Sequence, residues 1–289
     1  GATASSYVIN SVQAIHAGTY RVAITNTNGG TTYSSNSVLN VSGSDPLAQG
    51  LVAYYPFNGN ANDESGNDNN GTVSGATLTT DRNGKNEKAY AFDGEDDYVE
   101  VPSITGLNHA DVKTVSVWFA QTVTPPSSHW LVSKYQTDTA EGGWALIAGS
   151  TGKLEYNYKN SRGDGQILKS PNSVNLGANI WTHLTVTISG TTVNFYKNGQ
   201  AIASHVINPD DAATDNSRTL LLGATWNPGA RAGFASGKID DVRIYNRDLN
   251  ASEVLQLYNL EKPLAPPTIN TQPVADQNAD IGSNVTFSV

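Results

Sequence analysis

Short apolar runs that alternate with polar residues, each closed by Gly, Asn, Asp or Pro, recur along almost the whole of this 289-residue chain. Residues 7–9, 20–24, 115–118, 184–188 and 193–196 are of this kind, rich in β-branched and aromatic side chains. A period of two sends successive side chains to opposite faces of an extended strand, and branched or aromatic groups pack well there. Helical periodicity is almost absent. Many short strands with regular turn signals predict an all-β sandwich or barrel. Asn198 and Gly199, between two strand-like runs, predict a type I′ hairpin, because both turn positions require positive φ. One short helix is expected over 250–258, with Asn250 or Ser252 as its cap and Glu253 in its first turn.

Two seams divide the chain. Residues 42–46 form a small polar linker, and residues 262–267 hold three prolines and form a stiff spacer. The expected units are therefore 1–43, 47–262 and 264–289, the central one being of a size for a single large β-sandwich. The chain opens on Gly1 rather than Met, as expected of a piece of something longer.

Seventeen Lys and Arg stand against 26 Asp and Glu, a formal net charge of −9. That balance argues against nucleic acid or an anionic membrane as partner, since phosphate binding needs clustered cations. No apolar stretch approaches the roughly 20 residues of a membrane span, so no membrane insertion is expected in this region, and neither end reads as a signal peptide. The absence of cysteine removes thiolate metal sites, disulfides and Cys nucleophiles together. It suits a chain that folds in an oxidising place, and the expected location is extracellular or at the cell surface.

Residues 11–22, with Gly18, Tyr20 and Val22, followed by the turn at 26–30 and the run 37–41, resemble the second half of a bacterial immunoglobulin-like domain. Tyr20 stands where a tyrosine corner belongs, and Val22 takes the place of the cysteine of antibody domains. His16 departs from the family, which usually carries Asp there. Residues 263–289 resemble the opening of the same kind of domain. The middle region resembles the laminin-G-like, concanavalin A-like jelly-roll family through four ordered motifs. The first, 51–68, carries Tyr54, Tyr55, Phe57 and Asp63, and the second, 89–99, carries Phe92, Asp93, Gly94, Asp97 and Tyr98. The third joins Trp181 and His183 to the turn at 196–199. The fourth, 237–249, carries Asp240, Asp241, Arg243, Tyr245 and Arg247. The resemblance implies a concanavalin A-like jelly-roll sandwich flanked by incomplete immunoglobulin-like pieces. It implies function only loosely, because this fold hosts many activities.

The Asn/Asp-rich stretch 58–70 is the richest source of the hard oxygen ligands that Ca²⁺ prefers, although its spacing is not that of an EF-hand. Adjacent carboxylates at Asp240 and Asp241 repel each other unless a cation or an arginine neutralises them. The family resemblance implies a structural Ca²⁺ joining the first loop to the last strand, with Asp63, Asn67, Asp240 and Asp241 as expected ligands. A buried ion pair of Asp241 with Arg243 or Arg82 is the alternative. Asp93, Asp96 and Asp97 share one short turn rather than facing each other across a cleft, which does not suit glycoside hydrolysis. His16, His109, His129, His183 and His205 are isolated, and there is no Gly-x-Ser-x-Gly elbow. No catalytic residues are assigned.

Aromatic side chains near turns point to a binding role. Sugar rings stack on exposed aromatics while amides and Arg take hydroxyls, so Trp226, Asn227, Arg231, Tyr156, Tyr158 and Arg162 are the candidate glycan site. Trp118 and Trp181 read as core. Trp130 and Trp144 read equally well as plugs at the ends of the sandwich. Arg162 opens an Arg-Gly-Asp triplet of a kind common by chance in such loops. The reading is a non-catalytic carbohydrate-binding or adhesion module of a large secreted or surface-anchored bacterial protein. The alternatives are a structural repeat that self-associates through its immunoglobulin-like pieces, or an accessory region of a polysaccharide-degrading enzyme.

Overall fold

The computed structural model describes residues 18–25, 30–39, 45–102, 113–122, 128–137, 143–159, 164–207 and 218–263. The expectations placed on His16, His109, Arg162 and residues 264–289 lie outside them. In the N-terminal region, β1 (Gly18–Tyr20) and β2 (Ala23–Thr25) are followed by β3 (Thr31–Tyr33) and β4 (Ser37–Leu39). β1 pairs with β4 and β2 with β3, both antiparallel.

The strands of the main body are β5 (Leu51–Tyr55), β6 (Thr72–Ser74), β7 (Thr77–Thr79), β8 (Ala89–Asp93), β9 (Tyr98–Val101), β10 (Thr114–Gln121) and β11 (His129–Ser133). They continue with β12 (Gly143–Ala148), β13 (Leu154–Lys159), β14 (Gly165–Lys169), β15 (Thr182–Ser189), β16 (Thr192–Lys197) and β17 (Gln200–Val206). The last are β18 (Leu220–Leu222), β19 (Thr225–Asn227), β20 (Ala230–Ala232) and β21 (Ser236–Tyr245), before helix α1 (Ala251–Glu261). An eight-stranded sheet runs β17-β16-β15-β10-β21-β8-β7, with β5 also paired to β21. A seven-stranded sheet runs β14-β13-β12-β11-β18-β9-β6. Among the described residues the fold is an all-β, antiparallel sandwich with one helix on its outside.

Alternation decides what each sheet gives to the core. Val115, Val117 and Phe119 of β10 and Leu184, Val186 and Ile188 of β15 face Trp144, Leu146, Leu154, Tyr156 and Tyr158 from the other sheet. Burial of each large side chain stabilises the sandwich by about 1.5–3 kcal/mol. Every residue of β10 is buried, on both faces. The reason is α1, whose Val254 and Leu257 pack with Leu47, Tyr196, Tyr245 and Leu249 against the outside of the eight-stranded sheet.

Asn250 caps α1, its side chain accepting from Ser252 N and Glu253 N while Glu253 accepts from Asn250 N. This is a capping box. The helix runs to Glu261, beyond the expected end at 258, because Glu261 finds buried partners on the sheet. Asn198 and Gly199 take φ of 50° and 75° in the turn between β16 and β17. A Cβ on Gly199 would stand 3.0 Å from both Leu255 Cδ1 and Tyr258 Cβ, so the hairpin turn is also a seat for α1.

Candidate functional site

The hairpin β19–β20 lies beside the seven-stranded sheet, and the segment after β11 holds it there. Trp226 N and Thr225 Oγ1 donate to Tyr135 O at 3.3 and 3.0 Å, and Thr137 N donates to Trp226 O at 3.2 Å. Within the hairpin Trp226 faces Arg231 and Asn227 faces Ala230. The turn closes through Gly229 at φ 71°. The indole of Trp226 is half-buried, with Nε1 donating to Thr219 O at 3.0 Å.

Two guanidinium groups gather at that indole. Arg231 Cζ lies 3.9 Å and Arg218 Cζ 5.0 Å from the ring centre. Arg231 also donates to Glu100 Oε2 at 2.7 Å, and Thr219 Oγ1 donates to Glu100 Oε1 at 2.8 Å. Arg218 Nε donates to Gln136 Oε1 at 2.5 Å. Asn227 is exposed and accepts from Thr137 Oγ1. The structure thus brings Trp226, Asn227 and Arg231 together on one polar, aromatic surface. Glu100, Arg218, Gln136 and Thr219 also belong to it, and sequence reasoning missed them. The signal for Glu100 was present, since Val99 and Val101 are core residues and alternation sends Glu100 outward.

Tyr156 and Tyr158 are elsewhere. They are 0% and 1% exposed and sit in the core between the sheets. The expectation that they line a glycan site is corrected. Leu154, Tyr156 and Tyr158 take one face of β13, so Glu155, Asn157 and Lys159 take the other. Burial pushes the Tyr156 phenol well above its usual range.

The metal expectation meets an arginine. Asp241 has φ 43° and sits in a β-bulge, where the register between β10 and β21 slips from Ser116–Arg243 to Trp118–Asp240. The bulge breaks the strand's alternation, so that two successive carboxylates reach the same group. That group is Arg82, whose Nη1 and Nη2 donate to Asp240 Oδ2 and Asp241 Oδ2 at 2.5 Å each. Arg82 Nε donates to the main-chain oxygen of Glu261. Tyr54 donates its hydroxyl to Asp241 Oδ1 at 2.7 Å.

Asp63 is spent on its own loop: Oδ1 accepts from Tyr54 N and Ser65 N, and Oδ2 from Ser65 Oγ and Asn69 N. Asn67 donates to the carbonyls of Leu51 and Val52 at 3.1 Å. These two residues stitch the loop to β5, and neither joins Asp240 and Asp241 in a ligand cluster. The donor set therefore does not fit a calcium ion shared among the four, because the oxygens of Asp63 accept from hydrogen-bond donors and a guanidinium already compensates Asp240 and Asp241. Among the described residues, Asp93, Asp96 and Asp97 are the acidic group whose ligand oxygens lie within 4.8 Å of one another. Asp97 Oδ2 accepts from Asp93 N at 2.9 Å and Asp93 Oδ1 from Glu95 N at 2.8 Å, so the carboxylates close the turn between β8 and β9.

Next to Arg82 lies a second buried pair. Glu261 accepts from Arg243 Nε at 2.6 Å and from Trp118 Nε1 at 2.8 Å. Burial raises the pKa of both Glu261 and Asp240, in each case against the pull of an arginine; for Asp240 the neighbouring Asp241 adds to the rise. His183 lies beneath, with Nε2 2.6 Å from Ser116 Oγ and 3.6 Å from Glu261 Oε2. Serine and acid approach the same ring nitrogen, whereas a nucleophilic relay holds the acid at the other one. Ser116 and His183 are buried on the sheet beneath α1, and Glu261 is the buried last residue of that helix.

A family profile described as the concanavalin A-like lectin/glucanases superfamily, of laminin-G type, matches residues 93–255. No curated protein matches the chain by sequence. Among solved structures, the binding domain of Paraclostridial Mosquitocidal Protein 1 is 22% identical with a TM-score of 0.60, over 74% of this chain and 53% of that one. Domain 4 of AbnA, an extracellular GH43 arabinanase from Geobacillus stearothermophilus solved with arabinotriose, is 24% identical with a TM-score of 0.56, over 72% of this chain and 98% of that one. The binding domain of botulinum neurotoxin serotype D is 17% identical with a TM-score of 0.57, over 74% of this chain and 51% of that one. The match spans about half the length of the two toxin domains and nearly all of the arabinanase domain. The similarity to these three is one of fold. With the sandwich topology and more than half of its residues matched by the family profile, the chain belongs to the concanavalin A-like lectin/glucanase superfamily.

Proposed function

We propose that this chain is a non-catalytic carbohydrate-binding or adhesion module, with the glycan held at the β19–β20 hairpin. The observation that carries this reading is the setting of Trp226: a half-exposed indole fixed by its own Nε1–H, with Arg231, Arg218 and Asn227 around it. Arginine and amide groups supply donors for sugar hydroxyls, and an indole supplies an apolar surface for the ring's C–H face. A fold neighbour solved with arabinotriose and two toxin binding domains support a binding role. A cysteine-free chain supports a secreted or surface location. Residues 1–43, 47–262 and 264–289 are proposed as the three units of the chain, the outer two being parts of immunoglobulin-like domains. The test is a glycan array that includes arabino-oligosaccharides, followed by calorimetry on the strongest hit with wild type and Trp226→Ala.

A structural repeat is the second reading, and the N-terminal strands favour it. Val22, Ile24, Tyr33 and Val38 are 52–68% exposed there, a density of bare apolar groups that suits burial against further strands. Light scattering on the full chain, with and without residues 264–289, tests it. Concentration-dependent oligomers that vanish with the deletion support assembly, and a monomer in both forms removes it.

A further inference from the structure

Three oxygens converge on Arg82: Oδ2 of Asp240, Oδ2 of Asp241 and the main-chain O of Glu261. They come from the last strand and from the end of α1, while Arg82 follows β7. The guanidinium joins elements 158 to 179 positions apart in the chain. Its plane also lies against Trp118, 4.7 Å from the ring centre. Three hard oxygens of which two are anionic form the kind of set that binds a divalent cation. Here a guanidinium, with its fixed fork of N–H donors, meets all three.

We propose that Arg82 stands in place of a structural cation, so that the clamp between β21 and α1 is made by an arginine and needs no divalent metal. Taking the arginine away uncovers a metal site. A solvent-open cavity of about 280 Å³, lined by Tyr54, Asn58, Lys88, Asp240 and Asp241 among others, reaches the carboxylates and gives an ion and its waters a path in. Three protein oxygens are fewer than the six to eight that Ca²⁺ prefers, so water fills the remaining positions and binding is weak, with a dissociation constant on the order of 10⁻⁴–10⁻³ M. The inference concerns how the fold is held and does not rest on the glycan reading.

The experiment measures the melting temperature of the full chain in 20 mM CaCl₂ and in EDTA, for wild type, Asp240→Asn, Arg82→Ala and the triple variant Arg82→Ala/Asp240→Asn/Asp241→Asn. In wild type, calcium adds nothing at this place, so any gap between the two conditions is unchanged by Asp240→Asn. Arg82→Ala leaves two buried carboxylates uncompensated; it melts lower in EDTA, and calcium raises it by about 5–10 °C more than wild type. The triple variant loses that extra gain. Terbium gives a second readout, since an ion replacing the guanidinium lies close to Trp118. Emission sensitised by Trp118 is expected in Arg82→Ala and not in the triple variant. Equal calcium gaps in wild type and Arg82→Ala overturn the proposal, as does a wild-type gap abolished by Asp240→Asn. If Arg82→Ala fails to fold in calcium while the triple variant folds, the ion cannot replace the guanidinium and the proposal is also wrong. A triple variant that does not fold removes the premise that uncompensated charge is what Arg82 prevents.

Discussion

The guanidinium carbon of Arg231 lies 3.9 Å from the centre of the Trp226 ring, and the same side chain reaches Glu100 at 2.7 Å. The contact orients the indole and the arginine together, two β-strand partners that each hold the other's rotamer. It also places a cation on one aromatic surface, so a bound sugar meets a guanidinium edge as well as an indole. Both members of the Arg231–Glu100 pair keep about a quarter of their side chains in water. Such a pair adds about 0–1 kcal/mol to stability, so its worth lies in positioning.

Glu100→Gln should therefore leave the melting temperature within about 3 °C of wild type while lowering glycan affinity, because Arg231 loses its tether. Differential scanning fluorimetry beside calorimetric titration checks the two effects on one sample. A large loss of stability with unchanged affinity speaks against a positioning role.

Glu261→Ala should be far more damaging. The carboxylate is buried between Arg243 and Trp118, and its removal strands a buried guanidinium. Breaking one side of a buried pair costs about 3–5 kcal/mol, which denaturant unfolding at neutral pH will resolve. Replacement of the pair as a whole, Arg243→Met with Glu261→Leu, should recover much of that loss.

Stability should peak on the mildly acidic side of neutrality. His183 is pushed down to about 3, first by burial and then by the repulsion of Arg82 and Arg243. The unfolded chain binds a proton there below about pH 6.5 that the folded chain refuses, so stability falls as pH drops from 6.5 towards 3. Glu261 works in the opposite direction: burial raises it to about 7 from 4.5. Its contribution is complete below about pH 4.5 and is lost as pH rises through 7. Melting temperature against pH should show both limbs. His183→Asn should flatten the acid limb and Glu261→Gln the neutral one. Superimposable curves for either variant and wild type contradict the assignment.

Gly199→Ala should destabilise by more than 1 kcal/mol, since the residue sits at φ 75° and an added methyl meets Leu255 and Tyr258 of α1. Asn250→Ala, at the other end of the same helix, should cost about 1 kcal/mol through loss of the cap. Chemical denaturation of the two variants orders them.

What the sequence made legible was local. Strand alternation, the Asn198–Gly199 turn and the Asn250 cap depend on neighbouring residues alone, and each is found in the structure. The phase of β13 was also legible, because Leu154 with Tyr156 and Tyr158 alternates against Glu155, Asn157 and Lys159. The phenolic hydroxyls drew the reading outward, whereas the rings follow Leu154 into the core. Arg82 and Asp240 are 158 positions apart, and no local pattern joins them. Repulsion between adjacent carboxylates announced that something must compensate Asp240 and Asp241. Only the bulge at Asp241 and the packing of β7 beside β8 decide that it is a guanidinium.

Calorimetric titration of the strongest array glycan into wild type and Trp226→Ala is the most direct test of a glycan site at the hairpin. Wild type should release heat with one-site stoichiometry, and Trp226→Ala should lose at least tenfold in affinity while keeping the wild-type far-ultraviolet spectrum. Equal affinity in the two proteins, or no glycan bound by wild type, contradicts it.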